Sequence, residues 1–364
     1  MRAPLVLAGA SAVLAIVLYK FRRRIEIQIP PTMSAVVAMN GKCALRADQP
    51  TPTPKPDEVL IRVKSTAINR LDVLQRLGKA PVPKGVTEVL GLECAGVVVA
   101  AGSQVKGFYV NDEVLALVPG GGYAQYVAVH HATVMHKPSN MPWDDAGSIP
   151  EAWLTAYKLL HVVGRVAKGD RVVVHAAASG VGVAAIQLSN AAGASAFVTV
   201  GSQEKLDLCV ARLGAAAGAV RHDGPWIDAL KASDPMKGAA DLILDPVASN
   251  YAEQNLEALA VDGRWVLYSL LSGPGLPEPV AKGFLGSLAK KRISLLATTL
   301  RARPIAFKTD LVKRFSRDVL PRIGSSGAFE HLIDKRFTGL DQAQAAHEYM
   351  ETNANMGKIV LTVE

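Results

Sequence analysis

Cysteine is scarce in this sequence, and its three copies lie far apart. Cys43, Cys94 and Cys209 form no C-x-x-C pair, so they cannot build a disulfide framework or a cysteine-rich zinc lobe. We expect each of them to be a small, buried apolar residue. The scarcity is typical of a protein from a reducing compartment.

The sequence also lacks low-complexity tracts, internal repeats and basic runs interleaved with aromatic residues. The formal net charge is +8, but half of this excess falls within residues 1–32 and the other half is spread thinly over the rest of the chain. A protein that binds nucleic acid usually concentrates its lysines and arginines on one surface. We therefore expect no dedicated nucleic-acid surface.

Residues 3–19 form an apolar stretch without charge, and the basic run Lys20-Phe-Arg-Arg-Arg24 follows it at once. A helix of this length rises about 25 Å, enough to cross the apolar core of a bilayer. A cleaved secretory signal would carry its basic residues before the apolar run, and a transit peptide would carry arginines inside it. The pattern predicts a membrane anchor, with the enzyme body facing the cytosol at the endoplasmic reticulum or the outer mitochondrial membrane. The alternative is a cytoplasmic protein.

The remaining chain has the composition of a globular α/β protein, with 49% hydrophobic and 20% charged residues. Residues 34–135 are predicted to be rich in β-structure, because short apolar or alternating runs are separated by glycine, proline and asparagine. From about residue 153, strands alternate with helical stretches, which is typical of a parallel sheet. The predicted elements are strands at 58–64, 96–100, 113–118, 171–175, 196–200, 241–245, 264–268, 292–297 and 358–362, and a helix at 181–190.

These patterns divide the chain into three parts. Residues 1–32 are the predicted anchor and linker, and residues 154–299 form a domain around the parallel sheet. Residues 33–153 and 300–364 form a discontinuous β-rich domain, because the last predicted strand is expected to return to it.

The turn Ala176-Ala-Ala-Ser-Gly-Val-Gly182 lies between the first strand of the predicted parallel sheet and its helix. Compared with the G-x-G-x-x-G fingerprint, Ala177 and Ser179 replace the first two glycines, and Gly182 keeps the third. Small side chains still let the backbone approach a pyrophosphate at the helix N-terminus, where N–H groups and the helix dipole favour anions. The turn therefore predicts a dinucleotide site.

The end of the second strand of this sheet indicates which dinucleotide is bound. An NAD site has an Asp or Glu there, which accepts a hydrogen bond from the ribose 2′-OH. Here Gly201 leaves space, Ser202 can donate a hydrogen bond, and Lys205 and Arg221 bring positive charge for a 2′-phosphate. A solvated surface charge is the alternative for any one lysine, but this position favours NADPH.

Eight motifs occur in a characteristic order along the chain. They are Ala67-Ile-Asn69-Arg-Leu-Asp72, Leu90-Gly-Leu-Glu-Cys-Ala-Gly96, Pro119-Gly-Gly-Gly-Tyr-Ala-Gln-Tyr126, Ile149-Pro-Glu-Ala-Trp-Leu-Thr155-Ala, His175-Ala-Ala-Ala-Ser-Gly-Val-Gly182, Leu213-Gly-Ala-Ala-Ala217, Asp262-Gly-Arg-Trp-Val-Leu-Tyr268 and Gly357-Lys-Ile-Val-Leu361. From about residue 34 to the C-terminus the chain resembles the zeta-crystallin-like quinone oxidoreductases of the medium-chain dehydrogenase/reductase superfamily. The resemblance implies an α/β fold with a GroES-like β-rich catalytic domain and a Rossmann-type cofactor domain, NADPH as the cofactor, and a homodimer.

The resemblance also implies roles for single residues. Asn69 is expected near the nicotinamide and the substrate carbonyl, Thr155 near the nicotinamide, and Glu93 as a structural carboxylate. The other implied cofactor contacts are Ser179, Gly180, Val181 and Gly182 on the pyrophosphate, Ser202 and Lys205 on the 2′-phosphate, and Tyr268, Ser269, Asn355 and Lys358 around the site.

Four positions differ from those of relatives. Zinc-dependent relatives have a cysteine where this chain has Asn69 and a histidine where it has Leu92, so no metal site is expected. Relatives commonly have a tyrosine on the 2′-phosphate where this chain has Arg221, an exchange that should preserve the NADPH preference. They also have an active-site tyrosine where Ala80 stands, which weakens the expectation of a quinone substrate.

The main hypothesis is hydride transfer from NADPH to a quinone or an α,β-unsaturated carbonyl, with Asn69 polarising the acceptor oxygen. Two alternatives stay open. One is an enoyl-thioester reductase with basic side chains near its cleft, and the other is a non-catalytic NADPH-binding membrane protein. His130, His131 and His136 are expected to have surface or structural roles.

Overall fold

The computed structural model of this chain describes residues 28–324 and 327–363. The predicted anchor at residues 3–19 lies outside them, and within them we find no helix that is long and apolar enough to span a membrane. The described chain divides into two compact units. The first contains residues 28–148, 337–347 and 360–363, and the second contains residues 149–324, 327–336 and 348–359.

The first unit is built mainly from antiparallel strands. Its elements are β1 Thr32–Met39, β2 Lys42–Pro50, β3 Glu58–Ile68, α1 Arg70–Arg76, β4 Glu93–Ala101, β5 Glu113–Leu117, β6 Tyr126–His130, β7 Val134–His136 and α2 Trp143–Ser148. β1 and β2 pair as a hairpin, β3 pairs with β4 and β6, and β4 pairs with β5. The buried side chains of β3 and β4 form much of the core of this unit, whereas Arg62 and Lys64 of β3 are exposed.

The second unit is an alternation of strands and helices around a parallel sheet. Its elements are α3 Pro150–Tyr157, β8 Arg171–His175, α4 Gly180–Ala191, β9 Ser195–Val200, α5 Gln203–Asp207, β10 Ala217–Val220, α6 Trp226–Ala232, β11 Ala240–Asp245, α7 Ala252–Ala258, β12 Leu259–Leu267, α8 Glu278–Lys291, β13 Ser294–Ala297 and α9 Ile305–Asp318. π-helical turns at Lys158–Val163 and Leu208–Arg212 extend α3 and α5.

The last elements run across the division between the units. They are β14 Ile333–Thr338, α10 Ala343–Glu351 and β15 Lys358–Thr362. β14 and β15 continue the strand order β14-β15-β3-β4-β5-β7. The last strand of the chain thus lies in this sheet.

The parallel sheet has the order β10-β9-β8-β11-β12-β13. The chain moves outward from β8 to β10 and then restarts beside β8 with β11, so the direction of winding reverses between β8 and β11. Such a reversal opens a crevice at the carboxyl ends of the strands, where open α/β sheets bind their ligands. The predicted Rossmann-type domain is confirmed by this order.

The structure divides the chain differently from the sequence-based prediction in three places. The second unit begins at residue 149 rather than at 154, and residues 300–336 and 348–359 belong to it rather than to the β-rich unit. For residues 300–336 the reason is the packing of α9, whose apolar side chains Leu311, Val312 and Phe315 are buried. Phe315 meets Tyr157 at the end of α3 with a ring separation of 6.2 Å. Periodicity along α9 reveals an apolar face but not its partner.

Candidate cofactor site and acceptor site

The glycine turn between β8 and α4 is fixed by hydrogen bonds at both of its ends. Ala176 has a φ of +51°, which is uncommon for a residue with a side chain and indicates a constrained backbone. The N–H of Ala177 donates to the carbonyl of Thr199 at 3.1 Å. Ser179 caps α4, because its Oγ accepts from the N–H of Gly182 at 3.2 Å. These contacts fix the backbone conformation of the turn.

Glycine is required at two positions of this turn by close approach. A Cβ on Gly182 would lie 2.3 Å from the carbonyl oxygen of Ala177, and one on Gly180 would lie 2.5 Å from Cδ of Lys358. The N–H groups of the first turn of α4, which include those of Gly180 and Val181, have no partner within their own helix. A small-residue turn before a twelve-residue helix fits the pyrophosphate of a dinucleotide.

The returning C-terminal segment lies directly on this turn. The N–H of Gly357 donates to the carbonyl of Ala178 at 2.7 Å, and Asn355 stabilises the segment by donating from Nδ2 to the carbonyl of Gly357 at 3.0 Å. Lys358 is 4% exposed, and its aliphatic stem packs over Gly180. The structure thus places Asn355 and Lys358 beside Ser179 and Gly180.

A histidine that the sequence analysis did not single out lies close to Lys358. His331 Nδ1 accepts a hydrogen bond from the indole N–H of Trp153 at 3.0 Å. Burial lowers the pKa of His331 to about 3, and the charge of Lys358 contributes to the same shift. His331 is therefore neutral at physiological pH, and it adds no charge to the cofactor site.

The residues predicted for the 2′-phosphate converge at the end of β9. Among the described residues, the atom nearest to where a side chain on Gly201 would begin is Nε of Arg221, at 3.9 Å. Ser202 accepts from the N–H of Lys205 at 3.4 Å, which leaves its hydroxyl hydrogen to donate elsewhere. Lys205 donates from Nζ to the carbonyl of Asn353 at 2.6 Å. Burial lowers the pKa of Lys205, Asp334 opposes that shift, and Arg221 reinforces it.

A buried polar network joins the carboxyl ends of three strands. His175 at the end of β8 bonds to Thr199 of β9 at 2.9 Å and to Oδ1 of Asn255 at 2.8 Å. Nδ2 of Asn255 donates to Asp245 at the end of β11, also at 2.8 Å. The indole N–H of Trp265 donates to the same carboxylate oxygen at 3.0 Å.

The same edge of the sheet carries Tyr268 and Ser269, which follow β12. The N–H of Tyr268 donates to the carbonyl of Asp245 at 3.0 Å. Burial raises the pKa of the Tyr268 phenol, and the Asp245 carboxylate adds to the shift. The network beneath these residues was not predicted from the sequence. The one available signal was that a buried strand ends on an acid, Asp245.

Asn69 lies in the first unit, whereas Thr155 and all the other predicted cofactor contacts lie in the second. Nδ2 of Asn69 donates to Glu93 at 2.9 Å and to the carbonyl of Ala67 at 3.3 Å. Both amide hydrogens therefore have acceptors, and donation to a substrate carbonyl requires Asn69 to release the longer bond to Ala67. Glu93 is fully buried, and its contact with Asn69 orients the amide.

Asp72 connects Asn69 to a second buried group. Its carboxylate accepts from the N–H of Asn69 at 2.9 Å, from the N–H of Gly91 at 3.2 Å and from the hydroxyl of Tyr123 at 3.1 Å. Tyr123 is 0% exposed, and burial raises the pKa of its phenol, with Asp72 adding to the shift. Asn69 is thus held from both its backbone and its side chain.

Two family descriptions match this sequence. "Alcohol dehydrogenase GroES-like domain" matches residues 55–139 in the first unit, and "Zinc-binding dehydrogenase" matches residues 180–317 in the second. Together they span more than half of the chain, in the order and with the sheets seen in the structure. The chain belongs to the medium-chain dehydrogenase/reductase superfamily. The glycine turn supplies a fitting site for the nicotinamide dinucleotide of such dehydrogenases.

The second family description names zinc, but the residues of this medium-chain dehydrogenase/reductase do not fit that ion. Asn69 and Leu92 occupy positions where zinc-dependent relatives have ligands, and neither side chain is a thiolate or an imidazole. Across the described ranges 28–324 and 327–363, we find no group of three or more His, Cys, Asp or Glu residues placed to hold a metal. Burial raises the pKa of the thiols of Cys94 and Cys209, as expected of inert, buried cysteines.

Proteins similar to this medium-chain dehydrogenase/reductase include a polyketide synthase, an enoyl reductase and a quinone oxidoreductase. Highly-reducing polyketide synthase 1 of Aureobasidium melanogenum is 30% identical over 317 residues, which are 86% of this chain and 14% of that protein. The crystal structure of CurK enoyl reductase is 25% identical with a TM-score of 0.76, and it covers 92% of this chain and 100% of its own. The quinone oxidoreductase from Coxiella burnetii is 26% identical with a TM-score of 0.72 and the same coverage. The chain thus spans about a seventh of the polyketide synthase that it matches.

Proposed function

We propose that this chain is an NADPH-dependent reductase of carbon–carbon double bonds conjugated to a carbonyl, with enoyl thioesters as its preferred acceptors. The observation that carries the proposal is the likeness to CurK enoyl reductase over the whole length of that chain. The match of most of this chain to a segment of a highly-reducing polyketide synthase points in the same direction. Enoyl thioesters therefore replace the quinones of the sequence-based hypothesis as the first acceptor class to test.

The residues of the chain supply binding and orientation. A bound nicotinamide supplies the hydride for the reduction. The turn with Ser179, Gly180 and Gly182 holds the pyrophosphate, and Lys358 adds a positive charge beside it. Asn69, oriented by Glu93, is the proposed hydrogen-bond donor to the carbonyl oxygen of the acceptor, on which negative charge develops.

The preference for NADPH rests on the charges at the end of β9. No carboxylate follows that strand directly, and Arg221 lies beside Gly201. We expect Arg221→Ala to weaken NADPH binding about tenfold and to leave NADH binding nearly unchanged, because one charge-assisted contact to the 2′-phosphate is lost. Titration calorimetry with both cofactors measures this, and Lys282→Ala on α8 is the matched control. Equal losses for NADPH and NADH would show that Arg221 does not read the 2′-phosphate.

An acceptor screen tests the proposed activity. NADPH oxidation is followed by stopped flow with crotonyl thioesters, simple enones and quinones. Reduction of the thioesters at a higher kcat/KM than the quinones supports the proposal. No turnover of any acceptor, despite tight binding of NADPH, would instead favour a non-catalytic NADPH-binding protein.

Quinone reduction is the second candidate, because a quinone oxidoreductase is among the similar structures. Ala80 stands where relatives have a tyrosine, and it lies just after α1 with its N–H bonded to the carbonyl of Leu74 at 3.2 Å. Its methyl group offers no ring for a quinone to stack on. Turnover of quinones at a higher kcat/KM than thioesters would select this candidate.

We further propose that residues 3–19 attach the protein to a membrane, with the body in the cytosol. The uncharged apolar stretch and the basic run after it support this proposal. Expression with and without residues 1–32, followed by membrane fractionation, tests it. Recovery of the full-length chain in the soluble fraction would contradict it.

A further inference from the structure

A group of charged side chains lies on the second unit outside the residues assigned to the cofactor. We call it the basic cluster and define it by Glu151, Lys158, Arg301, Arg303 and Lys308. The charges of Glu151 and Arg303 act on Lys158, and those of Glu151 and Arg301 act on Lys308. The cluster therefore brings four cations together with a single carboxylate of its own.

The basic cluster shares a helix face with Thr155, which the family resemblance implies lies near the nicotinamide. Glu151 and Lys158 are seven residues apart on α3 and its π-helical extension, with Thr155 between them at the fourth position. Positions i, i+4 and i+7 lie on one side of a helix. The π-helical turn begins at Lys158, and such turns are frequent at functional sites.

Lys158 is the most unusual member of the cluster. It is 1% exposed, and among the described residues Glu151 is the one opposite charge that acts on its ammonium. A buried ammonium with so little opposing charge is costly, and a protein that has no use for the charge can replace it with an apolar side chain. An anion bound in the cluster would supply further opposing charge.

Two of the other cations, Lys308 and Arg303, are held in place by backbone and hydroxyl groups. Lys308 donates from Nζ to the carbonyl of Arg301 at 2.6 Å. Arg303 donates from Nη2 to Oγ1 of Thr298 at 3.1 Å and packs over the ring of Phe307 at 4.9 Å. These contacts fix the positions of the cations without neutralising them.

We propose that the basic cluster binds an oxyanion carried by the acceptor, either a phosphate or a carboxylate. The proposal deepens the proposed function and rests on it. Guanidinium groups bind both kinds of oxyanion through paired N–H donors, and a lysine ammonium adds a point charge. The cluster would thereby select anionic acceptors over neutral ones of the same reactivity.

Matched pairs of acceptors test the proposal and identify the source of the anion. Crotonyl-coenzyme A and the crotonyl thioester of N-acetylcysteamine differ in their phosphates, whereas monomethyl and dimethyl fumarate differ in a carboxylate. We expect the kcat/KM of wild-type protein to favour the anionic member of one pair, mainly through KM. That preference should fall about tenfold in Lys158→Met, because one charged contact is lost.

Two further variants separate binding from a structural role. Lys282→Met removes an exposed lysine on α8, whose side chain is 78% exposed, and should leave the preference unchanged. Glu151→Gln removes the carboxylate of the cluster and should increase the preference. Equal preference ratios in wild-type protein, Lys158→Met and Glu151→Gln would overturn the proposal.

A binding measurement separates failure of this proposal from failure of the proposed function. With NADP⁺ at saturation, so that the dinucleotide site is filled, inorganic phosphate should raise the Tm of wild-type protein more than chloride at equal ionic strength. The effect should be absent in Lys158→Met. If no acceptor is reduced, this phosphate effect still supports an oxyanion site, and its absence from wild-type protein overturns it.

Discussion

Replacing Lys158 with methionine should stabilise the protein. Burial of Lys158 lowers its pKa from 10.5 to about 8, with Glu151 opposing the shift and Arg303 adding to it. A difference of this size between the folded and unfolded chain corresponds to about 3 kcal/mol. Methionine fills a similar volume without a charge, so Lys158→Met should raise the free energy of unfolding at neutral pH by up to about 3 kcal/mol.

The dependence on pH has a definite sign. The unfolded chain keeps the proton on Lys158 up to its ordinary pKa of 10.5, while the folded chain releases it near 8. Between these values unfolding takes up a proton, so the Lys158 contribution to stability increases with pH. Below the folded pKa the destabilisation is fully present, and above 10.5 it is gone.

Urea unfolding of wild-type protein and Lys158→Met, measured from neutral pH to above pH 10, tests this reasoning. The difference in unfolding free energy should be largest at neutral pH and vanish at the alkaline end. Lys282→Met should match wild-type protein throughout, because its ammonium is exposed. A variant that is less stable than wild type at neutral pH, or a difference that does not change with pH, would refute the assigned cause.

Gly182→Ala should weaken cofactor binding at least about tenfold and lower the Tm, because the new Cβ would lie 2.3 Å from the carbonyl oxygen of Ala177. Titration calorimetry measures the binding, and thermal unfolding measures the Tm. Asn255→Leu should lower the free energy of unfolding in urea by about 2–3 kcal/mol, since it deprives buried His175 and Asp245 of a shared hydrogen-bond partner. A smaller decrease would mean that water replaces the amide. We also propose a homodimer through the edge strand β13, where Leu295 is 39% exposed, so Leu295→Glu should yield monomers in sedimentation velocity. Monomeric wild-type protein would contradict that proposal.

The sequence determined the local structure around the cofactor site. β8 was predicted at residues 171–175, where the structure has it, because a run of valines between polar ends is typical of a strand buried on both faces. The helix predicted at 181–190 matches α4 within one residue, since Ser179 is a favourable N-cap. The roles of the small residues in the turn and of the basic residues after β9 could be predicted, because they depend on residues that are close in sequence.

Tertiary structure alone decided which distant residues meet. The contacts of Trp153 with His331, of His175 with Asn255 and of Asn69 with Glu93 all join positions that are remote in sequence. The same holds for α9. Its residues were predicted to belong to the β-rich domain, because an apolar helix face does not show which domain it packs against. The burial of Lys158 is the clearest case. Its ammonium lowers the stability of the folded chain only because packing removes the water that a solvated lysine would keep. That packing depends on several segments of the chain together.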